Sequence, residues 1–199
     1  EEVPSKDSLN RICSKNVYSK VNYPAANNSA FDGFAIKSSD SKFASKKNKI
    51  KFQVLKILAA GDKPKIKYKK NSCIEIMTGA IIPKPFDTII PVEIAKIEKI
   101  KKNRFLFLES RINKNQHVRY YGSDFKKKQI LISKGEIINS SHILALKTLG
   151  VKNILVKKKP NILFFSTGNE ISENNNVSDW MVRNSNSYYL RSLEKNFLF

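Results

Sequence analysis

Residues 24–36 read PAANNSAFDGFAI, a stretch without a single lysine in a chain that carries 31 of them. It neither alternates apolar and polar residues like a half-buried strand nor has the uniform polarity of a loop. Asn27, Asn28 and Ser29 are turn-forming residues whose side chains bond backbone groups, and Asp32-Gly33 is a turn dipeptide set directly before Phe34, Ala35 and Ile36. The reading is a loop that enters a strand with one carboxylate held at the junction.

Downstream the pattern stays strand-like. Short apolar runs follow, IKFQVLKIL (50–58), CIEIM (73–77), DTIIPVEIAKI (87–97), RFLFLE (104–109) and HVRY (117–120), divided by Gly61-Asp62, Thr78-Gly79 and Pro83 to Pro85. They predict an antiparallel β-domain. QILISKGEII (129–138) predicts a hairpin turning near Lys134 and Gly135. Ser140 or Ser141 then caps a helix through Ile143, Leu144, Ala145 and Leu149 that stops at Gly150. Upstream, Ser5 or Asp7 caps a helix with Leu9, Ile12 and Cys13 on its apolar face. Beyond the lysine-rich loop at 157–160, the continuous run NILFF (161–165) predicts a strand buried on both faces, with STGNE (166–170) at its carboxyl end, where open α/β sheets bind ligands. SENNNVSD (172–179) reads as a loop, and a last helix starts near Asn184 or Ser185 with Tyr189, Leu190, Leu193 and Phe197 on one face.

Composition narrows the function. At 199 residues and 41% hydrophobic content the chain can bury a core of one domain or two. No apolar run approaches the roughly 20 residues of a membrane helix. Cys13 and Cys73 stand far apart, and His117 and His142 form no spaced set with them, so the expectation is two free, buried thiols in a reducing cytoplasm rather than a zinc site. The net charge of +20 invites a nucleic-acid reading, but 31 of the 37 basic residues are Lys and 6 are Arg, whereas base and phosphate recognition favours the arginine fork. The lysine runs are also scattered and not interleaved with aromatics, as a stacking platform would be. They read as solvated faces, with no specific nucleic acid as partner.

What remains is a set of loop groups beside glycines at strand ends: Asp32, Thr78 in IMTGAIIP, Asp124 in RYYGSDF and Glu170 in STGNE. Any one of them alone reads as a turn cap. The blocks PAANNSAFDGFAI, AAGD, IEIMTGAIIP, VRYYGSDF, LKTLG, NILFFSTGNEI and VRNSNSYYL, taken in order, resemble the molybdopterin molybdenumtransferase family, which inserts molybdenum into the pterin cofactor, and the homologous domain of gephyrin.

The resemblance covers nearly the whole chain. It implies a mixed α and β, multidomain fold: an elongated helical linker domain of residues 1–20 and 127–158, an antiparallel β-domain of 21–126 inserted within it, and at 159–199 the incomplete start of a three-layer α/β molybdopterin-binding domain, so that the chain reads as a fragment of a longer protein. It further implies a catalytic set of Asp32, Thr78, Asp124 and Glu170, with Asp32, Asp124 and Glu170 as metal ligands. Ser166, Thr167, Gly168, Asn169, Ser185 and Asn186 would bind the cofactor. The implied reaction takes molybdate and adenylated molybdopterin as substrates, uses Mg²⁺, and runs in a cytoplasmic homodimer whose cleft lies between subunits. Asn27, Ser123, Asn169 and Asn184 stand where the family carries acids, which leaves a non-catalytic scaffold or binding module as the alternative.

Overall fold

The computed structural model describes residues 1–193. The predicted position of Phe197 on the last helix lies outside them. The chain divides into two compact units, one of residues 1–18 and 130–199, the other of 19–129.

The second unit holds β3 (Asn28–Ser29), β4 (Gly33–Ile36), β5 (Ile50–Leu58), β6 (Ser72–Ile76), β7 (Thr88–Pro91), β8 (Lys96–Ile100), β9 (Asn103–Leu108) and β10 (Val118–Arg119); the first holds β1 (Glu2–Pro4) and β2 (Val17–Tyr18) before it in the chain, and β11 to β14, α1 and α2 after it. Six strands of the second unit form one sheet in the order β7-β4-β6-β5-β9-β8. The sheet is mixed: every neighbouring pair is antiparallel except β5 and β6, which run parallel. The expected all-antiparallel domain is therefore corrected at one pair. Residues 59–71 carry the chain back to the starting end of β5, and a crossover that returns to the same end makes the next strand parallel.

The unbroken apolar run in β4 now has its reason. Strand residues alternate between faces, and both faces of this sheet are covered. Ala35, with its partners Ile74 and Ile89, joins a core of Leu58, Ile76 and Phe86. Phe34, with its partner Ile90, joins a second core of Ile36, Phe52, Cys73 and Leu106. Every residue of β4 is buried. Gly33 is required at its start, because a Cβ there would run into the Ile90 carbonyl.

In the first unit β1 pairs antiparallel with β12 (Asn153–Leu155) and β2 with β11 (Ile130–Ile132). Ile12 bridges Ile137 and Cys13 bridges Val156. The core is Cys13, Ile132, Ile138, Leu146, Ile154 and Val156.

Three expectations are corrected in residues 1–18 and 129–150. The N-terminal helix is absent: Ser5–Asp7 form a single 3-10 turn, Leu9 is exposed, and Ile12 and Cys13 lie in extended bridges. Strand partners 120 and more residues away overrode a local helical spacing, as tertiary pairing often does. The 129–138 hairpin turns as expected, with Gly135 at φ 86°, but its arms pair with β2 and with Ile12 rather than with each other. α1 (Ser140–Thr148) is capped by Asn139, whose side chain accepts the His142 N–H while the His142 ring accepts the Asn139 N–H. Ser140 and Ser141 are inside the helix, and Leu144 points to solvent while Leu146 is buried.

Residues 161–165 form no strand, and Ile162, Leu163, Phe164 and Phe165 are 53–77% exposed. A strand buried on both faces needs hydrogen-bonded neighbours and helical cover, and among the described residues none stand beside this run. It leads to β13 (Ile171–Ser172), parallel to β14 (Val182–Arg183), and to α2 (Ser185–Ser192), capped by Asn184 as one of the two expected starts. Cys13 and Cys73 are free and buried. No helix among the described residues is long and apolar enough to cross a membrane.

Candidate active site

The asparagines and the serine of the opening stretch bring three loops together. The backbone of Asn27–Ser29 runs beside residues 79–82: Ser29 N–H donates to Ala80 C=O, Gly79 N–H to Ser29 C=O and Ile82 N–H to Asn27 C=O. On its other side β3 pairs with β10. Asn28 Nδ2 donates to Gly79 C=O, and Asn27 Oδ1 accepts from the Tyr121 N–H at 2.8 Å. Short polar side chains that mimic backbone groups are what such a junction requires.

One consequence is that Thr78 lies against Asp32. The Thr78 N–H reaches Asp32 Oδ1 at 2.6 Å and the Thr78 hydroxyl reaches the same oxygen at 2.7 Å. An ionised carboxylate only accepts, so the hydroxyl must be the donor. These two bonds, the backbone one first, hold the Asp32 carboxyl below its ordinary range. Asp32 C=O accepts from Val92 N–H, so the backbone is fixed as well. The arrangement leaves Oδ2 on an exposed carboxylate, aimed by its sister oxygen. It also occupies the proton of the Thr78 hydroxyl.

Asp124 is held differently. Arg119, at the end of β10, forms a two-nitrogen contact with its carboxylate, and Ser123 Oγ donates to Oδ1 at 2.9 Å. Arg119 and then Ser123 hold the Asp124 carboxyl below its usual range. The Arg119 guanidinium also stands 5.7 Å from the Tyr23 ring centre. Sequence reasoning missed Arg119 as a site residue. Its signal was the arginine five positions before the aspartate in VRYYGSD, a spacing that only the turn at Gly122 converts into an ion pair.

In the other unit Ser166, Thr167, Glu170, Ser185 and Asn186 line one cavity of about 440 Å³. Gly168 and Asn169 are not in its wall. Ser166 Oγ bonds Asn184 Oδ1 at 3.1 Å and Ser187 Oγ at 2.6 Å, which joins the 166–170 loop to the start of α2. The first backbone N–H groups of a helix and its dipole favour an anion there. The Glu170 carboxylate lies over Gly168, whose φ of 146° and lack of a Cβ admit it.

Asn184 caps α2 and donates through Nδ2 to Glu173 Oε1 at 2.5 Å, a contact that an aspartate would turn into repulsion between two carboxylates. Among the described residues no three of His, Cys, Asp and Glu stand together in an arrangement that holds a metal ion. The donors that are present nevertheless suit Mg²⁺, which takes one or two carboxylates and completes its shell with water and substrate oxygens. Asp32 Oδ2 is such a donor.

The chain is similar to known proteins over most of its length. Residues 1–150 match the family model of the MoeA N-terminal region (domain I and II). Over 192 residues the chain is 32% identical to the molybdopterin molybdenumtransferase of Staphylococcus epidermidis and 31% identical to that of Staphylococcus aureus, covering 96% of this chain and 45% of each of those proteins. A crystal structure of the molybdopterin biosynthesis MoeA protein from Pyrococcus horikosii superposes with a TM-score of 0.84 at 29% identity, over 96% of this chain and 48% of that one. The chain thus spans about half the length of these relatives. With three quarters of its length inside the family model and the Asp32, Thr78 and Asp124 loops in the matched part, the chain belongs to the MoeA family, as its N-terminal region.

Proposed function

We propose that the protein carrying this sequence is a molybdopterin molybdenumtransferase, which inserts molybdate into adenylated molybdopterin with release of AMP. The observation that carries the reading is the Asp32–Thr78 pair: a solvent-facing carboxylate whose one oxygen is fixed by two donors and whose other is free to ligate. The domain division read from the sequence remains part of the proposal, with residues 1–20 and 127–158 as linker, 21–126 as inserted β-domain and 159–199 as the start of the pterin-binding domain. The working form is a cytoplasmic homodimer.

Asp32 and Asp124 would hold the cation, with Glu170 of the partner subunit as a third acid. A bound Mg²⁺ would screen the repulsion between these carboxylates and molybdate. Thr78 keeps Asp32 ionised and aimed. Arg119 does the same for Asp124 while adding a positive charge near the oxyanion. Ser166, Thr167, Ser185 and Asn186, with the first N–H groups of α2, form the anion-binding wall for the phosphate side of the substrate, and Gly168 and Asn169 set the loop that presents Glu170.

Asp32→Asn tests the proposal on the full-length protein. The amide keeps the shape and still accepts from Thr78 but loses the charge. AMP release should fall by about two orders of magnitude or more, in the range seen when a transition-state contact is removed, with melting temperature nearly unchanged. If Asp32 only caps the turn before Phe34, asparagine caps it as well and release stays intact, and that result refutes the catalytic role.

A further inference from the structure

A cavity of the 19–129 unit, about 780 Å³, has no part in the chemistry above. None of Asp32, Thr78 and Asp124 lines it. Its volume falls within the range of small-molecule sites. The floor is apolar and rigid: Ile82 and Phe86 are 8% and 5% exposed, and Pro83 and Pro85 fix the loop that carries them. Such a floor favours a flat, apolar body.

The walls carry two lysines and one acid. Lys84 and Lys114 come from two different loops, and neither has an ion-pair partner among the described residues. The acid in the lining, Asp87, is turned to the scaffold, where Oδ1 accepts the Ser38 N–H at 2.7 Å and Oδ2 the Ser38 hydroxyl at 3.1 Å. Two ammonium groups beside an apolar floor match a dianion, and a phosphate monoester carries about −1.5 to −2 near neutral pH, against −1 for a carboxylate. Tyr121 completes the lining, its oxygen accepting from Asn22 Nδ2 at 2.6 Å.

We infer that this cavity binds a small phosphate monoester with an aromatic body, the ring lying on Ile82 and Phe86 and the phosphate between Lys84 and Lys114. The inference goes beyond the proposed reaction and does not depend on it.

The test uses phenyl phosphate as probe, with the full-length protein at physiological salt and NMR titration as readout. Phenyl phosphate should bind at least 10-fold more tightly than inorganic phosphate, benzoate or phenol, with amide shifts at residues 81–87 and 114–121. Lys84→Gln with Lys114→Gln should weaken it at least 10-fold, while Lys84→Arg with Lys114→Arg should retain most of the affinity. Lys99→Gln with Lys102→Gln, away from the cavity, should change nothing. Equal affinity for inorganic phosphate, or unchanged binding by the double glutamine variant, would overturn the site. Should the double variant fail to fold, Lys114→Gln alone decides, with the same two outcomes. Asp32→Asn separates this inference from the proposed reaction, because it should leave phenyl phosphate binding intact.

Discussion

Asp32 and Gly33 show how much a dipeptide can specify. The glycine lets β4 approach β7 so closely that the Ile90 carbonyl occupies the space of a Cβ. The preceding aspartate is thereby fixed at the strand mouth, where Thr78 meets it. Gly33→Ala should therefore cost about 3 kcal/mol or more, the upper end of what overpacking exacts, because the obstacle is backbone rather than a side chain that can turn away. A loss of less than about 1 kcal/mol in unfolding free energy by urea denaturation would mean that β7 yields. The carboxylate was legible in the sequence because DG before an apolar run is a turn signal. Its partner was not, since Thr78 lies 46 residues away and comes to Asp32 only through the pairing of Asn27–Ser29 with 79–82.

Elements in this chain are short and take their identity from their partners. β8 and β9 join β5 to extend the sheet, and Glu109, just past β9, accepts from Lys49 and from Lys96, each at 2.7 Å. These two contacts, Lys49 first, lower the Glu109 pKa from 4.5 to about 2. A carboxyl depressed in the folded state stabilises it fully above its unfolded pKa, and that contribution is lost as pH falls through the folded value. The melting temperature should thus decline between pH 4.5 and 2 partly through this group, and Glu109→Gln should flatten that limb without altering the curve near neutrality. Both lysines are more than half exposed, so added salt should shrink the difference. A limb of the same slope in the variant would assign the acid sensitivity elsewhere. The strands in this part were readable from β-branched runs between turn residues. The N-terminal helix was misread because Leu9, Ile12 and Cys13 have helical spacing, while the hydrogen bonds that decide the state of Ile12 and Cys13 run to Gly135, Glu136 and Lys157.

At the scale of the molecule, the 19–129 unit has the makings of an independent domain. Its ends are tied together, Ser19 N–H donating to Gln129 C=O at 2.9 Å and Lys128 N–H to Ser19 C=O at 2.8 Å. Both cores of its sheet are built from its own residues. Residues 19–129 expressed alone should fold cooperatively, with a dispersed amide NMR spectrum and a single thermal transition by circular dichroism. A collapsed, undispersed spectrum would show that the unit needs the rest of the chain. The opposite holds at 159–193, where Leu163, Phe165 and Trp180 are each more than three quarters exposed.

The sequence by itself determined the strand-rich character of the chain, the carboxylate at the mouth of β4, the turn at Gly135, the helix at 140–148 and the start of α2 at Asn184. These are local properties: turn dipeptides, caps and apolar periodicity act within a few residues, and the backbone obeys them wherever nothing stronger intervenes. The order of the blocks also identified the family that the match over residues 1–150 bears out. Only the tertiary structure decided that β5 and β6 run parallel, that Thr78 donates to Asp32, that Arg119 holds Asp124 and that residues 161–165 are extended without being a strand. Each of those depends on a partner tens of residues away, or on one that does not stand beside the segment among the described residues, and no local pattern encodes a hydrogen bond whose other half is so remote.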